Sequence, residues 1–351
     1  MRAAVPFSRT VQHQATPCER GETTQGAEPS TIVERSDQGF ECTRGHCGQL
    51  QLGRYWGDWA NVDDVGTLQL GTLTVHRLGF GSMQLPGSGV WGPPEDRDVA
   101  LGVLRRAVEL GVDLIDTADS YGPNVAEELI RDALYPYPAT LKIATKAGLT
   151  RSGPNQWAPN GRPEYLRQQC EGSLTRLGVD QIDLFQLHRV DPDVPADEQF
   201  GLLRALREEG KVREVGLSEV GVEQIEAAQR IVPIVSVQNQ YNLGHRGSDD
   251  VVDYAEQHQI GFIPWFPLAS GNLARPDGPI DVVAQELGAT VSQVCLAWLL
   301  HRSPVMVPIP GTSSIGHLEE NCAAADLTLT DTQYEALSDA RKPMRRWALG
   351  A

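Results

Sequence analysis

The 351-residue chain has no apolar run approaching about 18 residues, the length that crosses a bilayer as a helix, so no membrane span is expected. It lacks a basic excess as well. Its 46 Asp and Glu outnumber 30 Lys and Arg, and a formal net charge of −16 argues against a nucleic-acid partner. An anionic cofactor stays compatible, because a local pocket can oppose the global sign. The first twenty residues have no apolar centre of the kind that marks a secretory signal. The six cysteines form no paired framework, and Cys170, Cys295 and Cys322 fall in helical patterns. Reduced thiols and a cytoplasmic location are therefore expected. Cys42 and Cys47, in C-x4-C spacing with His46 beside the second, have no clear fourth ligand, so no metal is expected. No G-x-G-x-x-G follows the first strand pattern, which counts against an open dinucleotide-binding sheet.

What the chain does contain falls into two parts. Residues 1–66 are rich in Thr, Gln, Ser, Gly and Glu without sustained periodicity. They read as a disordered, low-complexity extension, or as sequence ahead of a start site further in. From Leu68 to Val75 alternation around Gly71 predicts a small β-hairpin. Strand and helix patterns then take turns. Strands are expected at Arg77–Ser82, Val112–Ile115, Leu141–Thr145, Asp183–Leu187, Val212–Leu217, Ile234–Gln238, Gly261–Pro264 and Val305–Pro308. Each leads into a helical pattern, such as Glu95–Leu110 after the first and Val125–Leu134 after the second. Eight such pairs in residues 67–351 have the count and size of an α/β fold of the (β/α)8 TIM-barrel type, with an open doubly wound sheet as the alternative.

Three polar residues stand directly after successive strand patterns: Asp116, Lys146 and His188. Tyr121 lies five residues beyond Asp116. In α/β barrels and open α/β sheets ligands bind at the carboxyl ends of the strands. An acid, an ammonium, a phenol and an imidazole gathered there form a proton-transfer site. A nearby ammonium favours the phenolate and lowers the phenol's pKa, which would bring Tyr121 closer to neutral pH. Each residue also has an ordinary structural reading, as a helix cap, a loop wedge, a solvated strand end or a packed barrel-mouth histidine.

The segment Leu114-Ile115-Asp116-Thr117-Ala118-Asp119-Ser120-Tyr121-Gly122 resembles the strand-2 signature of the aldo-keto reductase superfamily. Ile143-Ala144-Thr145-Lys146, Asp183–His188, Gly216-Leu217-Ser218, Val237-Gln238, Ile309-Pro310-Gly311-Thr312 and Leu318–Asn321 extend the resemblance in order, from about residue 68 to 340. The resemblance implies a (β/α)8 barrel and a catalytic tetrad of Asp116, Tyr121, Lys146 and His188. Tyr121 would protonate the carbonyl oxygen, Lys146 would tune it, Asp116 would hold Lys146, and a neutral His188 would orient the carbonyl.

The same resemblance implies NADPH as cofactor. Ser218 and Gln238 would hold the nicotinamide carboxamide, with Glu219 where an Asn is usual, and Trp265 would stack on the ring. Gly81, Ser82, Pro267 and Leu268 are further candidate contacts. Glu320 and Asn321 match adenosine contacts. Many relatives place cations near the 2′-phosphate where this chain has Gly311 and His317. Thr312, Ser313 and the helix start beyond them can still donate to a phosphate, so NADH use is expected to be only weakly excluded.

Trp91 and Trp157 are candidate substrate walls. Arg189 is expected either to meet an anionic substrate group or to pair with a carboxylate such as Asp191. Trp91-Gly92-Pro93-Pro94, His188-Arg189 and Gly311–Ser314 most resemble bacterial aldo-keto reductases, including pyridoxal reductase types. The chain is thus expected to reduce an aldehyde or ketone reversibly, pyridoxal or another small aromatic aldehyde among them, as a monomer or small homo-oligomer. A cofactor-binding sensor or accessory subunit with little turnover is the alternative.

Overall fold

Gly71 turns the chain back on itself at φ 63°, a left-handed conformation that favours glycine. Strands β1 (Thr67–Leu70) and β2 (Leu73–His76) pair antiparallel around it, as the alternation predicts. The computed structural model describes residues 65–268 and 278–339, all within one unit spanning residues 55–351. The extension expected over residues 1–66 therefore lies outside the described residues except for Val65 and Gly66, as do Cys42, His46 and Cys47.

The body alternates strand and helix. β3 (Phe80–Gly81), α1 (Arg97–Glu109), β4 (Leu114–Asp116), α2 (Val125–Leu134) and β5 (Lys142–Ala147) come first. A short hairpin follows, β6 (Leu149–Gly153) with β7 (Gln156–Pro159), then α3 (Pro163–Leu177), β8 (Ile182–Leu187) and α4 (Ala196–Glu208). The order continues with β9 (Val212–Ser218), α5 (Val222–Gln229), β10 (Ser236–Gln238), α6 (Asp249–Gln257) and β11 (Gly261–Phe262). Helices α7 (Pro279–Leu287), α8 (Val291–Arg302), α9 (Ile315–Cys322) and α10 (Asp331–Asp339) complete it. No single helix among the described residues is long and apolar enough to cross a membrane.

Seven strands form one parallel sheet in the order β3-β4-β5-β8-β9-β10-β11. The eighth expected strand, at Val305–Pro308, is present as a bridge at Met306 rather than a ladder. It still bonds to both edges of the sheet. Val307 N donates to Phe262 O and Phe262 N to Val305 O, both at 2.8 Å, while Gly79 N donates to Pro308 O at 3.0 Å. Pro308 and Pro310, both facing that side, have no N–H to donate in return, so the pairing there is incomplete. The sheet edges are thereby joined through one segment.

The hairpin β1–β2 floors the amino end of this ring. Leu70, Leu73 and Val75 pack with Leu114, Leu184, Ile263 and Val307 in one buried cluster. Glu214 secures the turn by accepting from Thr72 N at 2.7 Å. The carboxyl end is left open. Two elements went unforeseen: the β6–β7 hairpin, hidden in a Gly- and Pro-containing stretch, and α10.

Behind the open end, buried Glu127 on α2 accepts from Thr145 Oγ1 of β5 and from Arg176 Nε of α3, each at 2.6 Å. One carboxylate thus ties the segment after Tyr121 to the strand bearing Lys146. Glu127→Ala should destabilise the protein by about 3 kcal/mol, because it strands a largely buried guanidinium. The measurement is the shift in denaturant midpoint, and an unchanged midpoint would show the tie to be dispensable.

Candidate active site

β4 ends on Asp116, and Lys146 lies one residue before the end of the neighbouring β5. Both side chains are buried, at 2% and 0% exposure. A buried ammonium is tolerable only when its charge and its three donors are matched. Lys146 Nζ meets Asp116 Oδ2 at 2.7 Å, Thr117 O at 2.8 Å and Tyr121 Oη at 3.3 Å. The other carboxylate oxygen of Asp116 accepts from Gln238 Nε2 at 2.8 Å and Gln186 Nε2 at 3.4 Å. Tyr121 reaches the ammonium because the chain makes a tight turn after β4, with Tyr121 N donating to Ala118 O. Its oxygen accepts from Lys146, which leaves its own proton available to a ligand.

His188 follows β8 and its ring lies 5.9 Å from that of Tyr121, nearly perpendicular. Its Nδ1 is 3.3 Å from Ser120 Oγ. If the hydroxyl donates there, the imidazole carries its proton on Nε2. Burial, and then Lys146, Arg189 and Arg151, hold the His188 pKa well below its ordinary value, so the ring is neutral. Burial also pushes the Tyr121 phenol up, outweighing the opposing pull of Lys146. The sequence reading had the opposite sign, because it weighed the ammonium without the desolvation. Burial works against the Lys146 charge too, but Asp116 and Tyr121 outweigh it and hold that pKa above the usual lysine range.

These groups open onto a pocket of about 290 Å³. Asp116, Tyr121 and His188 line it together with Gly81, Ser218 and Gln238. Trp265, Pro267, Gly311 and Trp157 complete the expected residues found there. Lys146 lies beneath, fully covered. Ser82 is buried next to Gly81, and its hydroxyl has no hydrogen-bond partner.

Other expected contacts are placed differently. Glu219 does not line the pocket: its Oε1 accepts from Trp265 Nε1 at 2.7 Å and Gln240 N at 2.6 Å. It holds the indole rather than facing a ligand itself. Leu268 and Trp91 also stand back from the lining, Trp91 being bridged to Gly122. Thr312 Oγ1 accepts from Ser314 N, and Ser314 caps α9 through His317 N. The expected adenosine contacts are on α9. Glu320 Oε1 accepts from Thr290 Oγ1 at 2.6 Å, and Asn321 is buried. His317 and Ser313 are exposed.

Arg189 lines the pocket and bonds His188 O at 2.6 Å and Ser218 Oγ at 3.1 Å. The expected pairing with Asp191 is absent; that carboxylate accepts instead from Gly161 N and Asp193 N. Sequence reasoning missed Arg151, whose guanidinium lies 3.5 Å from the Trp157 ring. It missed Met83, Gln84 and Val90 of the pocket wall as well. No periodicity or motif singles these out.

An acid-competent phenol on a buried ammonium, beside a neutral imidazole, can protonate and orient a carbonyl oxygen. Comparison with known proteins bears on what that arrangement serves. An uncharacterised oxidoreductase of Schizosaccharomyces pombe is 50% identical over 282 residues, covering 80% of this chain and 92% of the relative. Pyridoxine 4-dehydrogenase of Escherichia coli is 44% identical over 277 residues, covering 77% of this chain and 96% of the relative. The crystal structure of an aldo/keto reductase from Klebsiella pneumoniae in complex with NADP and acetate superposes with a TM-score of 0.66 at 26% identity. That match covers 80% of this chain and 96% of the other. The family model "Aldo/keto reductase family" matches residues 77–342, from the segment leading into β3 to beyond α10. On that match, which takes in the whole strand–helix body and all four polar residues at its open end, the chain belongs to the aldo/keto reductase family.

Proposed function

We propose that the protein reduces the carbonyl of an aldehyde or ketone with NADPH, reversibly, on a closed (β/α)8 barrel, with small aromatic aldehydes such as pyridoxal as its substrate class. The observation that carries this reading is the 3.3 Å contact of Lys146 Nζ with Tyr121 Oη, opening onto a pocket that also holds a neutral His188. The name and 44% identity of the Escherichia coli relative support the pyridoxine–pyridoxal pair.

The residues present fit a nicotinamide dinucleotide. Ser82 Oγ is buried and unpartnered. Gly81 and Gly311 bring two backbones together at the pocket: a Cβ on Gly81 would lie 2.7 Å from Ile309 O, and one on Gly311 2.5 Å from Gly81 O. Trp265 offers a flat indole, and Ser218 and Gln238 offer polar groups in the same lining. Ser218, Gln238 and Trp265 would hold the nicotinamide, and Ser313 with the start of α9 would face the phosphate end. When bound, NADPH supplies a hydride to the carbonyl carbon.

The chain's own residues handle the oxygen. His188 Nε2–H orients the carbonyl, and Tyr121 Oη delivers its proton as charge builds there. Lys146 stabilises the phenolate left behind, and Asp116 keeps Lys146 charged and in place. Reversal takes the proton from an alcohol back to Tyr121.

Tyr121→Phe should lower kcat for aldehyde reduction by about 100- to 10,000-fold and leave NADPH binding unchanged. Unchanged turnover would remove Tyr121 as the acid, and a wild-type protein that oxidises NADPH with no aldehyde would overturn the reduction itself. Reduction needs the protonated phenol, so activity is lost as pH rises through the Tyr121 pKa. Because burial raises that pKa, the alkaline limb should lie above the ordinary tyrosine value of 10.0. His188 is neutral throughout, so no limb is expected near 6.5. A pH–rate profile of kcat/KM checks both. His317→Arg puts a guanidinium on the first turn of α9 and should raise preference for NADPH over NADH about tenfold. The ratio of kcat/KM for the two cofactors measures it.

A further inference from the structure

Arg151, on strand β6, has its five guanidinium N–H groups matched by five backbone carbonyls. Nε donates to Gln156 O at 3.0 Å, Nη1 to Val90 O at 2.8 Å and Ser120 O at 2.7 Å, and Nη2 to Gly89 O at 2.9 Å and Gly153 O at 3.3 Å. These acceptors belong to three segments that reach the pocket from different directions: the loop after β3, the turn carrying Tyr121, and the β6–β7 hairpin. Among the described residues no carboxylate pairs with Arg151. Its planar faces are used too. The Trp157 ring lies 3.5 Å from Cζ, and the Trp91 ring 5.6 Å.

Two consequences converge on the pocket. Val90, a β-branched residue in the pocket wall, sits at φ 54°, a left-handed conformation that disfavours it. Its carbonyl is held there by Arg151 and by Gly122 N. Trp157, backed by the guanidinium, makes T-shaped contacts with Tyr121 at 6.4 Å and with His188 at 6.5 Å between ring centres. A wall is thereby fixed beside both groups that would meet the carbonyl oxygen.

We propose that Arg151 is a positioning residue that holds Trp157 as the wall for a ring carried next to the carbonyl, and so selects flat, ring-bearing aldehydes over small aliphatic ones. The proposal rests on the reductase reading for its substrate. Lysine could not substitute, having three donors and no plane to stack.

The test compares the full-length protein with Arg151→Met, Arg151→Lys and Trp157→Leu, using benzaldehyde and propanal as substrates. In all three variants the ratio of kcat/KM for benzaldehyde to that for propanal should fall about tenfold, carried by a higher KM for benzaldehyde, while NADPH affinity stays near wild type. The double variant Arg151→Met/Trp157→Leu should add little to either single change, because the two act as one unit. Hydrogen exchange at residues 89–91 and 149–159 should quicken in the Arg151 variants. Equal losses for both aldehydes, additive effects in the double variant, or unchanged exchange would overturn the proposal. Calorimetric binding of benzaldehyde reads the wall without turnover. A wild-type protein whose binding of benzaldehyde depends on Arg151 but which reduces nothing would overturn the reductase reading alone.

Discussion

The buried ion pair of Lys146 and Asp116 is the constraint to which the open end of the ring is fitted. Two charges inside a ring of apolar strands are costly unless every lone pair and proton is matched. The match draws on several strands at once. Asp116 ends β4, Lys146 lies on β5, Gln186 on β8 and Gln238 on β10. One carboxylate therefore fixes the register of four strands at their carboxyl ends. It leaves a single ammonium direction for Tyr121, so the position of the phenol follows from the charge beneath it. Glu127 and Arg176 brace the same turn from outside the ring, through Thr145.

Charge is also partitioned between the molecule and its pocket. The chain carries a net charge of −16, yet Lys146, Arg151 and Arg189 stand around His188. Arg151 is matched by backbone carbonyls, and Arg189 Nη1 bonds a carbonyl and a hydroxyl; among the described residues neither guanidinium has a carboxylate within hydrogen-bond reach. Neutral acceptors match the N–H groups without cancelling the charge, so the positive field remains in the pocket. Such a field suits a developing oxyanion, and it adds to burial, the larger cause, in keeping the His188 imidazole neutral.

Much of this was legible in the sequence, and the exceptions share a cause. Asp116, Lys146 and His188 are readable because they follow apolar runs, and strand ends are where side chains converge. The hairpin around Gly71 is readable because alternation and a turn residue coincide. The eighth strand pattern was real as a position but not as a ladder, since Pro308 and Pro310 cannot donate. Arg151 was invisible for a different reason. Its partners are backbone carbonyls, and any residue supplies those, so no pattern of side chains records them. The sign of the Tyr121 shift was misjudged because a sequence names the neighbouring charge but does not weigh burial against it. Arg189 was assigned two possible partners, and the structure places it against Ser218 and its own neighbour's carbonyl instead of Asp191.

Glu219, expected to meet the nicotinamide, serves the scaffold instead. An amide at that position could donate to a ligand's carbonyl, whereas a carboxylate accepts only. Here the carboxylate takes the indole N–H of Trp265 and the N–H of Gln240, from a backbone at φ 55°. A tyrosine or phenylalanine at position 265 would offer no such N–H, so the pair Glu219–Trp265 is a coupled choice. On the proposed reading, the grip on the nicotinamide end then comes from a platform locked in advance rather than from one more direct hydrogen bond. Locking a platform lowers the ordering cost of binding. That gain is concentrated at the reacting end, while the α9 end, with Gly311 and an exposed His317, carries no guanidinium or ammonium of its own. On that reading, reaction geometry and cofactor discrimination are set by separate parts of the chain, and one can change without the other.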